Sequence, residues 1–370
     1  MIFSYFTPTR IFAGEGALGA NAACLRELGG KALVVTGRAS AAQNGSLADV
    51  RAALEQNEQD FILYNQVTAN PTVECCYDAA AVARREHCDC IIAIGGGSPL
   101  DAGKAAALLA VEDTPPEELF TTPPRRALPI AAVPTTAGTG SEVTPVAVLT
   151  NHAERTKTSI SAPVLFPRLA FLDARYTNSL SRATAVNTAI DALTHAAEGM
   201  LSVRASAFSD TLAKASLGMI ADCADALSRG DFDGAVREKL LFASTLAGMV
   251  IANTGTTAVH SAGYSLTYFK HIDHGRANGL LFSAYLRFVD GHERGLPIRR
   301  AEEVCAALRF AGFDELDVFL DGLLGEREKL SAVEIAEFSG LAENTRGVKN
   351  SRVSPSRADI ARIFAESFPA

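Results

Sequence analysis

The sequence predicts an α/β domain with a parallel sheet in residues 1–175, followed by an all-helical domain in residues 176–370. In the first part, short apolar segments rich in β-branched residues alternate with helical segments, and glycine ends several of the strands. In the second part, strand signals become rare and Ala- and Leu-rich segments with helical periodicity recur. Because ligands bind between domains and at the carboxyl ends of parallel strands, a cleft is expected between the two domains.

The elements of the first domain are predicted from apolar runs that end in glycine or polar residues. The predicted strands are residues 31–37 (KALVVTG), 61–67 (FILYNQV), 88–98 (CDCIIAIGGGS), 128–136 (LPIAAVPTT) and 169–175 (LAFLDAR). The predicted helices are residues 46–56, 73–87 and 100–110, and the proline-rich residues 112–126 are predicted to form a surface loop. Continuously apolar strands that alternate with helices are typical of a parallel sheet covered on both faces.

Composition and charge exclude several classes of protein. The 34 basic and 42 acidic side chains give a net charge of −8 without a basic stripe, so nucleic acid is not expected as a partner. No apolar run approaches the roughly 18 residues of a membrane-spanning helix, and the opening MIFSYFTPTR lacks the pattern of a signal peptide. The seven cysteines form no C-x-x-C pair, so reduced thiols and a cytoplasmic location are expected.

Three consecutive glycines, at positions 95–97, separate a predicted strand from a predicted helix in IIAIGGGSPLDAGK. Glycines allow a ligand to approach the backbone closely, and a helix N-terminus presents N–H groups to an anion. The helix is expected to begin near Pro99, with Ser98 at its N-cap. A pyrophosphate is therefore the expected ligand, although the motif is not G-x-G-x-x-G and a glycine turn that binds nothing is the alternative.

A second polar segment, PTTAGTGSEVTP at residues 134–145, follows the next strand. Its hydroxyl groups and glycines suit the ribose and amide edges of a cofactor. A Ser/Thr-rich surface turn explains the same composition, so this segment alone does not decide between the two interpretations.

Acidic and histidine side chains suggest a metal site in the second domain. Asp191 and His195 are four residues apart in DALTHAAEG, and Glu198 shares their helix face. His260 in an apolar helix and His274 at a helix start could join them around one ion. One carboxylate and three imidazoles suit Fe²⁺, Zn²⁺, Mn²⁺ or Co²⁺. Taken singly, a surface ion pair and buried core histidines are the commoner interpretations.

Together these motifs resemble the iron-containing alcohol dehydrogenase family, the metal-dependent group III alcohol dehydrogenases. The similarity covers nearly the whole chain and rests on GGGSPLDAGK, PTTAGTGSEVTP, DALTHAAEG and the two later histidines, in that order. The resemblance implies an N-terminal dinucleotide-binding domain and an all-helical metal-binding domain, a dehydroquinate synthase-like fold, and a homodimer. By motif position it also implies four metal ligands, which are Asp191, His195, His260 and His274. The expected metal is Fe²⁺, with Zn²⁺ or another divalent ion as the alternative.

The resemblance further implies hydride transfer between NAD(P)(H) and a small primary alcohol, diol or aldehyde. The residues that are expected to contact the cofactor are Asn70, Gly96, Gly97, Ser98, Asp101, Thr135, Thr136, Thr139 and Lys157. Lys104 is expected to support this helix without binding the cofactor. The alternative function is a lyase that resembles dehydroquinate synthase, which also uses a metal and a nicotinamide.

The end of the first predicted strand, VVTGRAS, favours NADP(H), with NAD(H) as the alternative. Dehydrogenases that prefer NAD often carry an acid at this strand end, where it holds the ribose 2′-hydroxyl and repels a 2′-phosphate. NAD-preferring members of the family commonly have Asp at the position of Gly37. Here Gly37 leaves space, Arg38 offers positive charge and Ser40 offers a hydrogen-bond donor.

Two aromatic positions near the predicted ligands differ in their expected roles. Many family members carry a further histidine four residues after the third ligand, and this chain has Tyr264 there. Tyr264 could form a hydrogen bond near the site or simply pack, and the sequence leaves both roles open. His271 lies three residues before His274 and is expected to be exposed.

Overall fold

A computed structural model of the chain describes residues 3–369. These residues form two compact units, one of Thr7–Leu180 and one of residues 3–6 with 181–369. The division therefore falls after Leu180, whereas the sequence analysis places it at residue 175. Tyr176, just beyond that boundary, is buried in the first unit, and its hydroxyl donates to the Asp49 carboxylate.

The first unit is built on a six-stranded sheet in which all neighbouring strands are parallel. Its strands are β1 (Arg10–Ala13), β2 (Lys31–Gly37), β3 (Asp60–Val67), β4 (Cys90–Gly95), β5 (Ile130–Pro134) and β8 (Leu169–Leu172). The order across the sheet is β1-β8-β5-β4-β2-β3. The strands β6 (Val146–Asn151) and β7 (Thr156–Ser161) form a separate antiparallel hairpin. The predicted parallel sheet is confirmed.

Helices cover both faces of this sheet. They are α1 (Ala17–Ala20), α2 (Ser40–Gln43), α3 (Ser46–Gln56), α4 (Val73–Arg85) and α5 (Gly97–Leu109). Alternate side chains of β2 point to opposite faces of the sheet, as expected for a strand. On one face, Leu33 and Val35 pack in the core with α4 and α5. On the other face, Ala32 and Val34 pack in the core with α3. Because both faces are buried, the strand is apolar throughout.

The second unit is helical. Its helices are α6 (Arg182–Met200), α7 (Ala207–Asp222), α8 (Ala224–Arg229), α9 (Gly234–Thr254), α10 (Ala258–Lys270), α11 (His274–Glu293), α12 (Arg300–Ala307), α13 (Phe313–Leu324), α14 (Ala332–Glu343), α15 (Arg346–Asn350) and α16 (Arg357–Ser367). Hydroxyl caps start several of them, and α14 and α16 begin with capping boxes formed by Ser331 with Glu334 and by Ser356 with Asp359. Within residues 3–369, no helix combines the length and apolar character that a bilayer crossing requires.

The sequence located most elements of the first unit and missed the weakest ones. The predicted strand 31–37 and helix 46–56 agree with β2 and α3 residue for residue. The four-residue strand β1 and the hairpin of β6 and β7 were not predicted. In β7, TKTSIS has polar residues on both faces and only one buried side chain, so it lacks the apolar pattern that marked the other strands.

Candidate metal centre and cofactor-binding loops

Helix α6 presents the first two predicted ligands on one face. Asp191 and His195 are one helical turn apart, and only 3% and 5% of their surfaces are exposed. The Asp191 Oδ1 atom lies 4.0 Å from His195 Nε2. The pair is therefore not an ion pair on a solvated helix surface, which was the commoner interpretation of the spacing.

Helices α10 and α11 bring the other two histidines to the same carboxylate. His260 is the third residue of α10 and His274 is the first of α11, and their Nε2 atoms lie 3.6 and 3.9 Å from Asp191 Oδ1. Between these helices, His271 adopts a left-handed backbone conformation (φ 55°) that ends α10. The side chain of His271 is exposed, as predicted.

The four side chains converge closely enough for one small cation. Ligand atoms of Asp191, His195 and His260 lie within 4.8 Å of one another, and the rings of His195 and His260 stack with centroids 4.5 Å apart. Ligand atoms held about 2.1 Å from a tetrahedral ion lie about 3.4 Å from one another. The separations of 3.6–4.0 Å from Asp191 Oδ1 are slightly longer than this value, so the four side chains are close to the spacing that a bound ion requires.

The electrostatics of this cluster also suit a cation. Burial raises the pKa of the Asp191 carboxyl, but the imidazoles of His195, His274 and His260 outweigh it, and the pKa lies well below its usual range. Burial lowers the pKa of His260, but the carboxylates of Glu198 and Asp191 outweigh it and raise the pKa to about 9. Two buried carboxylates among three imidazoles therefore require positive charge nearby, which protons or a divalent ion would supply. The donor set fits such an ion.

Glycines let the three helices approach closely enough to form the cluster. A Cβ atom at Gly275 would lie 1.9 Å from the carbonyl oxygen of Asn187 and 3.0 Å from the Asp191 Cβ, so α11 packs directly on the backbone of α6. A Cβ atom at Gly263 of α10 would lie 2.2 Å from Asn278 Oδ1 on α11. The positions of His260 and His274 relative to Asp191 therefore depend on the absence of these two side chains.

Sequence reasoning missed Asn278, one turn after His274 on α11. It is completely buried, and its Nδ2 atom lies 3.2 Å from Asp191 Oδ1, 3.1 Å from His260 Nε2 and 3.3 Å from His274 Nε2. Its amide thus lies against three of the four predicted ligands. The four-residue spacing from His274 is the signal that could have identified it.

The role of Tyr264, left open by the sequence, is clearer in the structure. Its ring stacks on the ring of His274, with centroids 5.5 Å apart and an interplanar angle of 20°. The tyrosine is partly exposed, whereas most of the surrounding residues of α10 are buried. Packing against a candidate ligand is therefore one contact that Tyr264 makes.

In the other unit, the glycine segment lies where β4 passes into α5. Gly95 has a φ of 150°, a conformation that favours glycine, and a Cβ atom there would lie 2.5 Å from Pro99 Cγ. The helix begins at Gly97 with Gly96 at its N-cap. The prediction that it begins near Pro99 with Ser98 as the N-cap was therefore wrong. The Ser98 hydroxyl instead accepts a hydrogen bond from the backbone N–H of Asn70.

The second polar segment packs against these glycines. A Cβ atom at Gly97 would lie 2.7 Å from Thr139 Cγ2, and one at Gly96 would lie 3.0 Å from the Thr136 side chain. Thr135 follows β5 and is buried, and its N–H donates to the carbonyl of Gly95. The segment is therefore not a simple surface turn, because it forms a wall beside the start of α5.

The polar side chains of α5 hold this segment in place. Lys104 is completely buried, and its ammonium donates to the Ser141 and Thr144 hydroxyls and the Val146 carbonyl at 2.6, 3.1 and 2.8 Å. Burial lowers the pKa of Lys104 to about 8. The two carboxylate oxygens of Asp101 accept from the Ser141 hydroxyl and the Val148 N–H. Lys104 thus has the supporting position that the sequence suggested, and Asp101 shares it.

The remaining predicted cofactor residues lie on neighbouring loops and strands. Gly37 ends β2, and Arg38 and Ser40 follow it with exposed side chains. Asn70 lies in the loop after β3, and its carbonyl accepts from Thr150 of the hairpin. Lys157 lies opposite Thr150 in that hairpin. The carboxyl ends of parallel strands share one edge of the sheet, so the loops after β2, β4 and β5 lie on the side where such folds bind nucleotides.

The comparisons with known proteins agree with this architecture of a parallel-sheet domain and a helical domain. The family model "Iron-containing alcohol dehydrogenase" matches residues 8–174, and "Fe-containing alcohol dehydrogenase family, C-terminal" matches residues 185–323. The chain belongs to the iron-containing alcohol dehydrogenase family.

Individual relatives extend over most of the chain. Long-chain-alcohol dehydrogenase 1 of Geobacillus thermodenitrificans is 34% identical over 306 residues, which cover 81% of this chain and 76% of the relative. The solved iron-containing alcohol dehydrogenase of Thermotoga maritima superimposes with a TM-score of 0.92 at 34% identity, over 100% of both chains. The sulfoacetaldehyde reductase of Bifidobacterium kashiwanohense, solved in complex with NAD+, has a TM-score of 0.83 at 26% identity, again over 100% of both chains.

The close packing of α11 on α6 predicts different effects for two glycines of α11. Gly275→Ala should lower the free energy of unfolding by about 1–3 kcal/mol or more, because its Cβ atom would overlap the Asn187 carbonyl. It should also reduce the metal bound per chain.

Gly291→Ala is the matched control, since a Cβ atom there meets nothing within 4 Å, and it should stabilise α11 by up to about 1 kcal/mol. Denaturant unfolding measures the free energy of unfolding of each variant, and elemental analysis measures the metal bound per chain. Equal effects of the two substitutions would contradict this account of the packing.

Proposed function

We propose that this chain is a metal-dependent alcohol dehydrogenase or aldehyde reductase. It transfers a hydride between NADP(H), or less favourably NAD(H), and a small primary alcohol, diol or aldehyde. The observation that carries the proposal is the convergence of one buried carboxylate, Asp191, and three imidazoles in a member of this family. The activities named for the relatives, on long-chain alcohols and on sulfoacetaldehyde, support this reaction class.

Asp191, His195, His260 and His274 would hold the metal, Fe²⁺ in the first instance and Zn²⁺ as the alternative. A divalent ion in this set supplies Lewis acidity, which lowers the pKa of an alcohol and polarises an aldehyde carbonyl. The carboxylate of Asp191 supplies negative charge, and the amide of Asn278 donates to it at 3.2 Å and fixes its orientation. The Tyr264 ring packs on His274 and limits the movement of that imidazole.

The cofactor would be bound by the loops at the carboxyl edge of the sheet. A nicotinamide supplies the hydride acceptor or donor. The first-turn N–H groups of α5, at Gly97 and Ser98, point away from the helix and suit the pyrophosphate. Because the ammonium of Lys104 is engaged by three internal acceptors, backbone donors rather than this lysine would carry the phosphate contacts. Thr136 and Thr139 would line the same loop.

Removing a metal ligand should abolish metal binding and activity together. His195→Ala should reduce the affinity for Zn²⁺ or Fe²⁺ by more than about 100-fold, which exceeds the loss usual for outer partners of a ligand. NADPH-dependent reduction of a panel of short, hydroxylated and sulfonated aldehydes should fall with it. In the unaltered protein, chelation should remove the activity and one ion should restore it. His271→Asn is the matched control, because His271 is exposed in a left-handed conformation that Asn tolerates.

Several outcomes would contradict the proposal. If the unaltered protein binds no metal, or if its activity survives chelation, the proposed metal-dependent reaction is contradicted. Stoichiometric metal together with release of phosphate from a phosphorylated substrate, without net oxidation of the cofactor, would instead favour the dehydroquinate synthase-like lyase.

The cofactor preference should depend on Gly37. A Cβ atom there would meet only the Val67 carbonyl at 3.6 Å and the Ser40 hydroxyl at 3.7 Å, which are ordinary contacts, so a Cβ atom is accommodated without a clash. Gly37→Asp should shift the ratio of kcat/KM for NADP(H) over NAD(H) towards NAD(H) by about tenfold or more, because its charge repels the 2′-phosphate.

Gly37→Asn is the control for size, since it adds a side chain of the same shape without the charge. It should shift the cofactor ratio much less than Gly37→Asp. A clear preference of the unaltered protein for NAD(H) would overturn the proposed NADP(H) preference, whatever the two variants do. That result is a real alternative, because the sulfoacetaldehyde reductase was solved with NAD+.

A further inference from the structure

Glu198 lies on α6 one turn beyond His195, and its side chain is completely buried. Its Oε1 atom accepts hydrogen bonds from the N–H and the hydroxyl of Thr257 at 2.8 and 2.6 Å, and from the N–H of His260 at 3.4 Å. Its Oε2 atom contacts Nδ1 of the His260 ring. Both oxygens are therefore directed at the start of α10.

These contacts fix the backbone that carries His260. Thr257 is the N-cap residue of α10 and makes no side-chain cap of its own. The first-turn N–H groups of a helix lack intrahelical acceptors, and a negative charge beside them is favourable. Glu198 supplies that acceptor and charge from a different helix. It therefore holds the start of α10 against α6, on the same helix that carries Asp191 and His195.

The same carboxylate fixes the protonation of the His260 ring. A carboxylate only accepts hydrogen bonds, so Nδ1 carries a proton, and in the neutral ring that binds a metal Nε2 presents its lone pair. That Nε2 atom is the one that faces Asp191 Oδ1, at 3.6 Å. A carboxylate behind a histidine that binds a metal raises the basicity of the ring and orients it.

We infer that Glu198 is a positioning residue of the metal centre. It holds His260 in the tautomer whose Nε2 would bind the ion, and it places a second buried negative charge at the opposite side of that ring from Asp191. Together the two carboxylates balance the charge of a divalent cation. This inference rests on the proposed metal centre, and it adds a residue that touches neither the substrate nor the cofactor.

Glu198→Gln tests the inference because its amide cannot satisfy both sets of contacts. Three donors converge on Oε1, from Thr257 and the His260 backbone, so the amide oxygen should take that position. The amide NH₂ then faces Nδ1 of His260 and converts it from a donor to an acceptor. The proton moves to Nε2, which can no longer bind a metal in that state.

The experiment measures zinc affinity and the histidine tautomer in the full chain. Competition with a chromophoric chelator should show Zn²⁺ binding by Glu198→Gln weakened by at least about 10- to 100-fold. Two-bond ¹H–¹⁵N spectra of ¹⁵N-histidine-labelled protein should place the His260 proton on Nδ1 in the zinc-loaded unaltered protein. In the metal-free Glu198→Gln variant, the same spectra should place the His260 proton on Nε2. Glu198→Asp keeps the charge and should bind zinc more tightly than Glu198→Gln.

Glu293→Gln is the matched control. Glu293 is only 1% exposed and accepts from the first-turn N–H of Ala301 in α12, so it resembles Glu198 in burial and in contacting a helix start. It lies outside the histidine cluster, and its substitution should change zinc affinity by less than about threefold. A general effect of burying an uncharged amide would weaken zinc binding in both variants equally.

The outcomes separate this inference from the proposed function. Failure of the unaltered protein to bind zinc would overturn the metal centre itself. A folded Glu198→Gln variant with unchanged zinc affinity would overturn only the role of Glu198. If Glu198→Gln does not fold, the spectrum of the zinc-loaded unaltered protein still decides. A His260 that binds zinc through Nδ1, or carries its proton on Nε2, would contradict the inference.

Discussion

The buried carboxylate of Asp191 is the constraint on which the helical unit depends. It is 3% exposed, and its Oδ1 atom lies within 4.0 Å of the Nε2 atoms of three histidines. An isolated charge at that depth would be costly, so the surrounding helices must supply donors and positive charge. Those donors come from α6, α10 and α11. The packing of the three helices is therefore part of the site, and Gly263 and Gly275 permit their close approach.

In the sheet-containing unit, the lysine that follows the glycine segment is committed to internal contacts. Lys104, the lysine of the GGGSPLDAGK motif, is buried and holds the wall formed by Ser141 and Thr144. Asp101 completes this internal network. In the proposed cofactor site, the start of α5 and the bare backbone at Gly96 and Gly97 would contact the phosphate. The structural role of this buried lysine accounts for its place in the motif without a contact to the proposed pyrophosphate.

Pattern and spacing predicted the elements that carry strong local signals. Continuous apolar runs identified β2 and β4, and helical periodicity identified α3, because burial on a sheet face or helix face dictates those patterns. The four-residue spacing of Asp191 and His195 identified the side chains that share a face of α6. The hairpin strand β7 was missed because its residues are polar and partly exposed.

The rest depends on contacts between distant parts of the chain. Ser98 looked like an N-cap because local sequence allowed it, but its hydroxyl bonds to Asn70 after a different strand. Glu198 shared a helix face with His195 in the sequence, yet its partners are Thr257 and His260, about sixty residues away. Asn278 likewise acquires its role only when α11 packs on α6. Such partnerships follow from tertiary packing and leave little trace in a single sequence.

One measurement tests the central claim most directly: a crystal structure of the chain loaded with Fe²⁺ or Zn²⁺, with anomalous data on both sides of the metal absorption edge. The account predicts one anomalous peak per chain, about 2.0–2.3 Å from an Asp191 carboxylate oxygen and from the Nε2 atoms of His195, His260 and His274. A peak at another position, a coordination sphere without Asp191, or a loaded crystal with no peak among these four side chains would contradict it.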